Sequence, residues 1–130
     1  MSTLLLDTHV LLWWGAEPER LSTAAADAVS SADELAVADI SWFELAWLAE
    51  HDRIITGVPI RTWLSGLADH VRSVANTPAI AATAVSLRST FPADPADRLI
   101  YATAIEYGWQ IVTKDHRMRR YRHPRTMTIW

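Results

Sequence analysis

The chain has 130 residues, half of them hydrophobic, no cysteine and a net charge of −3. That length and hydrophobic content predict one packed domain over residues 1–130 rather than a disordered chain, while the lack of cysteine excludes disulfides, a thiolate metal site and a thiol nucleophile. The charge excludes a broadly basic, nucleic-acid-coating surface, although six of the twelve Lys and Arg residues crowd into positions 114–125.

Thr3 to Leu6 predicts a short buried strand. The apolar stretch there is broken by Asp7 and His9 and lacks a basic leader, so it does not read as a signal peptide. His9 to Trp14 predicts a helix that stops before Gly15 and Pro18, and the Ala-rich Ser22 to Ser31 predicts another. Leu35 to Ala38 is a second strand. Ser41 to His51 is helical, with apolar residues around most of its circumference, which predicts burial on more than one side or an oligomer contact. A helix over Pro59 to Asp69, a strand over Val71 to Ala75 and a helix over Pro78 to Arg88 follow. Pro95 to Tyr107 is a helix closed by Gly108 at the C′ position, and Gln110 to Thr113 and Met127 to Ile129 are strands. Strands separated by helices rather than by tight hairpins predict an α/β fold with a mostly parallel sheet covered on both faces, whose ligands bind at the carboxyl ends of the strands. No run approaches the roughly 20 apolar residues of a membrane span, so a soluble protein of the reducing cytoplasm is expected.

Four acids recur at the places such a sheet would bring together. Asp7 and Asp115 follow two strands, while Glu44 and Asp97 stand on first helical turns. Each has a structural explanation. Ser41-Trp42-Phe43-Glu44 fits a capping box, Asp94 fits an N-cap with Pro95 at N1 and Asp97 at N3, and Asp7 and Asp115 can cap the helices after their strands. Capping does not require the four to converge. Several carboxylates within a few ångströms repel one another and raise at least one pKa unless a cation neutralises them. An oxygen-only set suits Mg²⁺ or Mn²⁺ and phosphodiester chemistry. Asp7 and Asp115 are then expected as ligands, Glu44 as a group orienting the nucleophilic water or completing a metal shell, and Asp97 at a second metal position. Thr113 could hydrogen-bond a ligand carboxylate or serve only as a β-branched strand residue. Arg98 could neutralise an acid, touch phosphate or form a structural ion pair. His9 reads as structural, and Trp13, Trp14, Trp42 and Trp47 as core or dimer packing rather than base stacking.

Over nearly its whole length the chain resembles PIN-domain ribonucleases of the VapC toxin type. The resemblance is carried by Leu5-Leu6-Asp7-Thr8-His9-Val10-Leu11-Leu12, Ile40-Ser41-Trp42-Phe43-Glu44-Leu45-Ala46, Asp94-Pro95-Ala96-Asp97-Arg98-Leu99-Ile100-Tyr101 and Val112-Thr113-Lys114-Asp115. It implies an α/β/α sandwich, Mg²⁺- or Mn²⁺-dependent RNA cleavage, frequent dimerisation and inhibition by a co-encoded antitoxin protein. The family acids fall on Asp7, Glu44, Asp97 and Asp115, with Thr8 matching the small hydroxyl residue after the first acid and Asp94 a further acid common in the subgroup. Many relatives carry a His shortly before the Asp-Pro-x-Asp-Arg motif, whereas Phe91-Pro92-Ala93 stand there in this chain.

The reading that follows is an endoribonuclease in which activated water attacks phosphorus in line, leaving a 5′-phosphate and a 3′-hydroxyl, since no His pair is evident to drive 2′-hydroxyl attack. Its rivals are a catalytically silent PIN-like module that holds RNA or protein, and a phospho-acceptor signalling domain. The second fits poorly, because Asp7 has no adjacent acid and the single Lys, Lys114, abuts Asp115.

Overall fold

The computed structural model describes residues 2–130. Strands β1 (Thr3–Leu6), β2 (Glu34–Ala38), β3 (Arg72–Val74), β4 (Gln110–Val112) and β5 (Thr128–Ile129) form one sheet in the order β3-β2-β1-β4-β5, and every pairing is parallel. Between them run α1 (Thr8–Ala16), α2 (Thr23–Ser31), α3 (Ile40–Glu50), α4 (Ile60–Ala68), α5 (Pro78–Ser86), α6 (Pro95–Tyr107) and α7 (His116–Arg120).

Strand periodicity explains the layering. Alternate residues of a strand face opposite sides of the sheet. Leu4, Leu6, Val37 and Val112 pack with Val10 and Leu11 of α1, Ala25 and Val29 of α2 and Leu45 of α3. Leu5, Ala36, Ala38 and Ile111 pack on the other side with Ile100, Tyr101 and Ala104 of α6, Phe91 and Met118. The result is the expected α/β/α sandwich. Each fully buried Leu or Ile in these two clusters stabilises the fold by about 1.5–3 kcal/mol.

The helix ends differ from the sequence expectations in two informative places. Helix α1 does not stop before Gly15. It runs to Ala16 and ends at Glu17, ahead of Pro18, and Gly15 lies against α4, where an added Cβ would stand 2.7 Å from Leu67 Cδ2. Helix α3 starts at Ile40 with Asp39 at its N-cap, so the capping box expected of Ser41 and Glu44 does not form. Ser41 is buried inside the helix, and the Asp39 carboxylate accepts from the Asn76 amide at 3.1 Å. Helix α6 begins as expected, with Asp94 at the N-cap and Pro95 after it, but the Asp94 side chain makes no capping hydrogen bond. Gly108 closes α6 in the left-handed conformation, φ 71°.

Of the two alternatives expected for α3, burial on more than one side or an oligomer contact, the first does not hold within this chain. Ser41 and Leu45 are buried, whereas Phe43 and Trp47 are 65% and 44% exposed, so Trp47 is not core. Trp13 is buried, and Trp14 and Trp42 pack against the cluster of Leu4, Leu6, Val10 and Leu11. No helix among the described residues is long and apolar enough to cross a membrane.

Candidate metal and active site

The chain builds outward from β1 through β2 to β3, then returns to the other side of β1 with β4 and β5. The direction of winding therefore reverses between β1 and β4, and clefts of open parallel sheets form at the carboxyl edge of such a switch point. Leu6 pairs with Val112, so the residues that follow, Asp7 and Thr113, emerge side by side. One open cavity of about 720 Å³ lies at this edge, lined by Asp7, Thr8, Glu44, Asp94, Asp97 and Asp115, with Leu12, Phe43, Trp47 and Leu48 as an apolar wall. The four acids expected from the sequence, and Asp94 with them, face one space.

Asp7 is 4% exposed and held by two hydrogen bonds, from the Thr8 amide at 2.8 Å and from the Thr113 hydroxyl at 2.6 Å. The same Thr113 oxygen accepts from the Asp115 amide at 3.0 Å. One fully buried hydroxyl thus ties the acid after β1 to the acid after β4. Thr8 does the equivalent for the third acid. Its hydroxyl donates to Glu44 Oε1, and with that proton committed, Ser41 Oγ at 2.9 Å is the donor of the second contact. Ser41 and Glu44 are therefore anchored to α1 rather than to their own helix end.

Asp97 is different. It accepts no hydrogen bond among the described residues, and its nearest cation is Arg117 Nη2 at 3.6 Å. The same guanidinium nitrogen lies 3.1 Å from Asp115 Oδ2. Burial, followed by repulsion from Asp7, Asp94, Asp115 and Glu44, pushes the Asp97 carboxyl up from its ordinary 3.8 to about 7. Burial also raises Glu44, helped by Asp7 and Asp94 and opposed by the Thr8 hydroxyl. Asp115 moves the other way. Burial disfavours its charge, but hydrogen bonds from the Arg117 side chain and amide outweigh that. Asp115 also caps α7 through the Arg117 and Met118 amides.

Among the described residues, no three Asp, Glu or His side chains stand in a ready-made ligand cluster. The donor set nonetheless fits a hard divalent cation. It is all oxygen, and burial together with repulsion among its members raises the Asp97 carboxyl to about 7, a penalty that a bound cation would relieve. His9 is not needed in that set. Its Nε2 accepts from the Lys114 amide at 3.0 Å, its Nδ1 lies 3.5 Å from Asp7 Oδ2, and burial lowers its pKa against the pull of Asp7 and Asp115.

Arg98 takes none of the roles expected for it. It points away from the acids and donates to the carbonyls of Ala84, Leu87, Arg88, Phe91 and Pro92, at 3.0–3.4 Å. Arg117, which bridges Asp97 and Asp115, was submerged in the basic run. Its signal is its place two residues after an acid that caps a helix.

A family model described as the PIN domain matches residues 4–124. The chain belongs to the PIN-domain family. This PIN domain is 65% identical over 130 residues, all of each chain, to "Ribonuclease VapC22" of Mycobacterium tuberculosis (strain ATCC 25618 / H37Rv). Its fold is shared with solved structures of far lower identity. DNA-bound VapBC from Salmonella typhimurium matches with a TM-score of 0.74 at 17% identity, covering 98% of this chain and 97% of that one. FitAcB from Neisseria gonorrhoeae matches with a TM-score of 0.62 at 20% identity, covering 88% of this chain and 89% of that one.

Proposed function

We propose that this PIN domain, acting as one unit over residues 1–130, is a divalent-metal-dependent endoribonuclease and the toxin of a toxin–antitoxin pair. The observation that carries the chemistry is the gathering of Asp7, Glu44, Asp94, Asp97 and Asp115 around one cavity, with Asp97 pushed to about 7. The VapC22 relative, alike over its full length, supplies RNA as the substrate class.

Asp7, Glu44, Asp97 and Asp115 would hold Mg²⁺ or Mn²⁺, with Asp94 as an accessory acid. The ion supplies a Lewis acid for the phosphodiester oxygens and for the attacking water. The chain's own groups do the rest. Thr113 holds Asp7 and Asp115 in register, and Thr8 orients Glu44 so that its free carboxylate oxygen can accept the proton of a water in the cavity. Arg117, half exposed at the rim, is within reach of a phosphate that enters beside Asp97 and Asp115. In-line attack of water on phosphorus releases the 3′-oxygen of the preceding nucleotide and leaves the phosphate on the 5′ side of the next.

An antitoxin is the proposed protein partner, its basic side chain entering among the acids and its apolar residues covering Leu12, Phe43, Trp47 and Leu48. A solved toxin–antitoxin complex from Klebsiella pneumoniae, which shares the fold with a TM-score of 0.64 at 19% identity, supports that reading. A homodimer is proposed as the second assembly, checked by the mass of the purified protein in solution. Action in the cytoplasm fits this reading.

Cleavage of total RNA by antitoxin-free protein in Mg²⁺, Mn²⁺ or EDTA, beside an identically purified Asp7→Asn variant, tests the function. Discrete metal-dependent products are expected, with activity reduced at least about 100-fold in the variant. Folded protein that cleaves no RNA pool with either metal would return the chain to the silent binding module. Products ending in a 2′,3′-cyclic phosphate would overturn the water-attack mechanism.

A further inference from the structure

A second cavity, about 540 Å³, opens beside the acidic one. The two meet at Arg117, which lines both, and at the turn where Ala93 faces the second cavity and Asp94 the first. Arg117, Arg120, Arg122 and His123 line the second cavity, and no carboxylate does. In a chain of net charge −3 that segregation is not expected of a randomly solvated surface. Arg120 and Arg122 are exposed and enter no ion pair among the described residues.

One wall comes from α7, through Arg117 and Arg120, and the segment that follows it, the other from the turn over residues 89–93, and buried anchors hold both. The Tyr101 hydroxyl, on a fully buried side chain, reaches the carbonyls of Tyr121 at 3.1 Å and His123 at 2.8 Å, and the Tyr121 hydroxyl accepts from the Arg88 amide at 3.1 Å. On the opposite wall the Arg98 guanidinium gathers the carbonyls of Arg88, Phe91 and Pro92. A fixed cleft that presents unpaired guanidinium groups is preorganised for phosphate oxygens, which Arg binds with its planar fork. Phe91 and Tyr121 are 2% and 7% exposed, which leaves His123 as the one exposed ring in the cleft against three guanidinium groups.

We propose that this basic cavity is a phosphate-backbone subsite that holds the RNA strand next to the bond cut in the acidic cavity. The assignment rests on the ribonuclease reading above. An acidic cavity alone repels a polyanion, and a neighbouring positive cleft supplies the attraction that seats it. Recognition there is of the backbone and carries no base sequence.

The test measures binding of a labelled single-stranded RNA in EDTA, without turnover, by anisotropy at several salt concentrations. Arg120→Gln with Arg122→Gln is compared with a charge-matched control, Arg53→Gln with Arg61→Gln. Losing two single-strand phosphate contacts should lower the slope of log affinity against log salt by about 1.4, with the control unchanged. Equal slopes in the two double variants would overturn the subsite. Loss of binding to a polyglutamate probe in the Arg120/Arg122 variant alone, with its RNA slope unchanged, would reassign the cleft to an acidic protein segment. Failure of wild type to bind RNA at low salt would overturn it as well. Cleavage by wild type in Mg²⁺ or Mn²⁺ is scored separately, so the subsite and the nuclease reading fail independently.

Discussion

Thr113 donates to Asp7 while accepting from the Asp115 amide, so one buried hydroxyl sets the spacing of two acids that lie 108 positions apart along the chain. Thr113→Val keeps the shape and strand propensity but leaves Asp7 Oδ2 and the Asp115 amide without that partner. A loss of about 1–3 kcal/mol is expected in urea unfolding, with Mn²⁺ affinity reduced about 10–100-fold in a calorimetric titration. Thr113→Ser, which retains the hydroxyl, should recover most of both, and a serine variant as poor as valine would sink the assignment. Arg98 gives the contrasting case. Its guanidinium serves five carbonyls of the 84–92 segment and no acid. Arg98→Ala should cost about 2–4 kcal/mol by stranding those carbonyls. Arg98→Lys should recover less than half, because one ammonium cannot span a planar fork's set of acceptors. Full rescue by lysine would point instead to a simple charge role.

At the scale of elements, α3 turns one face to α1 and the sheet through Ser41 and Leu45 and another to the cavity mouth through Phe43 and Trp47. Phe43 is 65% exposed, so Phe43→Ser should leave the unfolding free energy in urea within about 0.5 kcal/mol of wild type. Capture of a co-expressed antitoxin should fall, while Val85→Ser on α5, 82% exposed and away from the cavity, should leave capture unchanged. Equal effects of the two would deny the α3 face its proposed role. The elements themselves were legible because strand alternation and helix punctuation are local. Leu4, Leu5 and Leu6 divide between two clusters as a doubly covered strand requires, and Gly108 ends α6 where a C′ glycine should. The convergence of Asp7, Glu44, Asp97 and Asp115 was legible too, since a parallel sheet brings its strand ends to one edge. Tertiary partners were not. Ser41 and Glu44 satisfy the local capping pattern, yet Thr8, 33 positions from Ser41, takes both side chains. Nothing local to Arg98 announces backbone carbonyls as its acceptors, and the run from Lys114 to Arg125 did not reveal that Arg117 alone in it meets Asp97.

Across the whole molecule, the acids at the sheet edge link stability to pH in a direction opposite to an ordinary ion-paired protein. Asp97 binds its proton more tightly in the folded state, at about 7, than in the unfolded chain, at 3.8. Between those values folding takes up a proton, so stability falls as pH rises from about 4 and the full penalty stands above about 7. Glu44 is raised and acts in the same direction. Asp115 is lowered, so its contribution is present above its unfolded value and disappears only in more acid solution. His9 is lowered and opposes Asp97 near neutrality, which makes the difference between wild type and Asp97→Asn the informative quantity. In EDTA the melting temperature of wild type relative to Asp97→Asn should decline from pH 5 to pH 8. A divalent ion reverses that trend, because ligation requires the deprotonated carboxylates and so strengthens as pH rises. At 100 times its dissociation constant the ion adds about 2.7 kcal/mol, and the gain should be largest at pH 8 and greatly reduced in the variant. Parallel pH profiles for the two proteins in EDTA would show that Asp97 does not carry the repulsion of the site. A shared Mn²⁺ stabilisation would place the ion elsewhere.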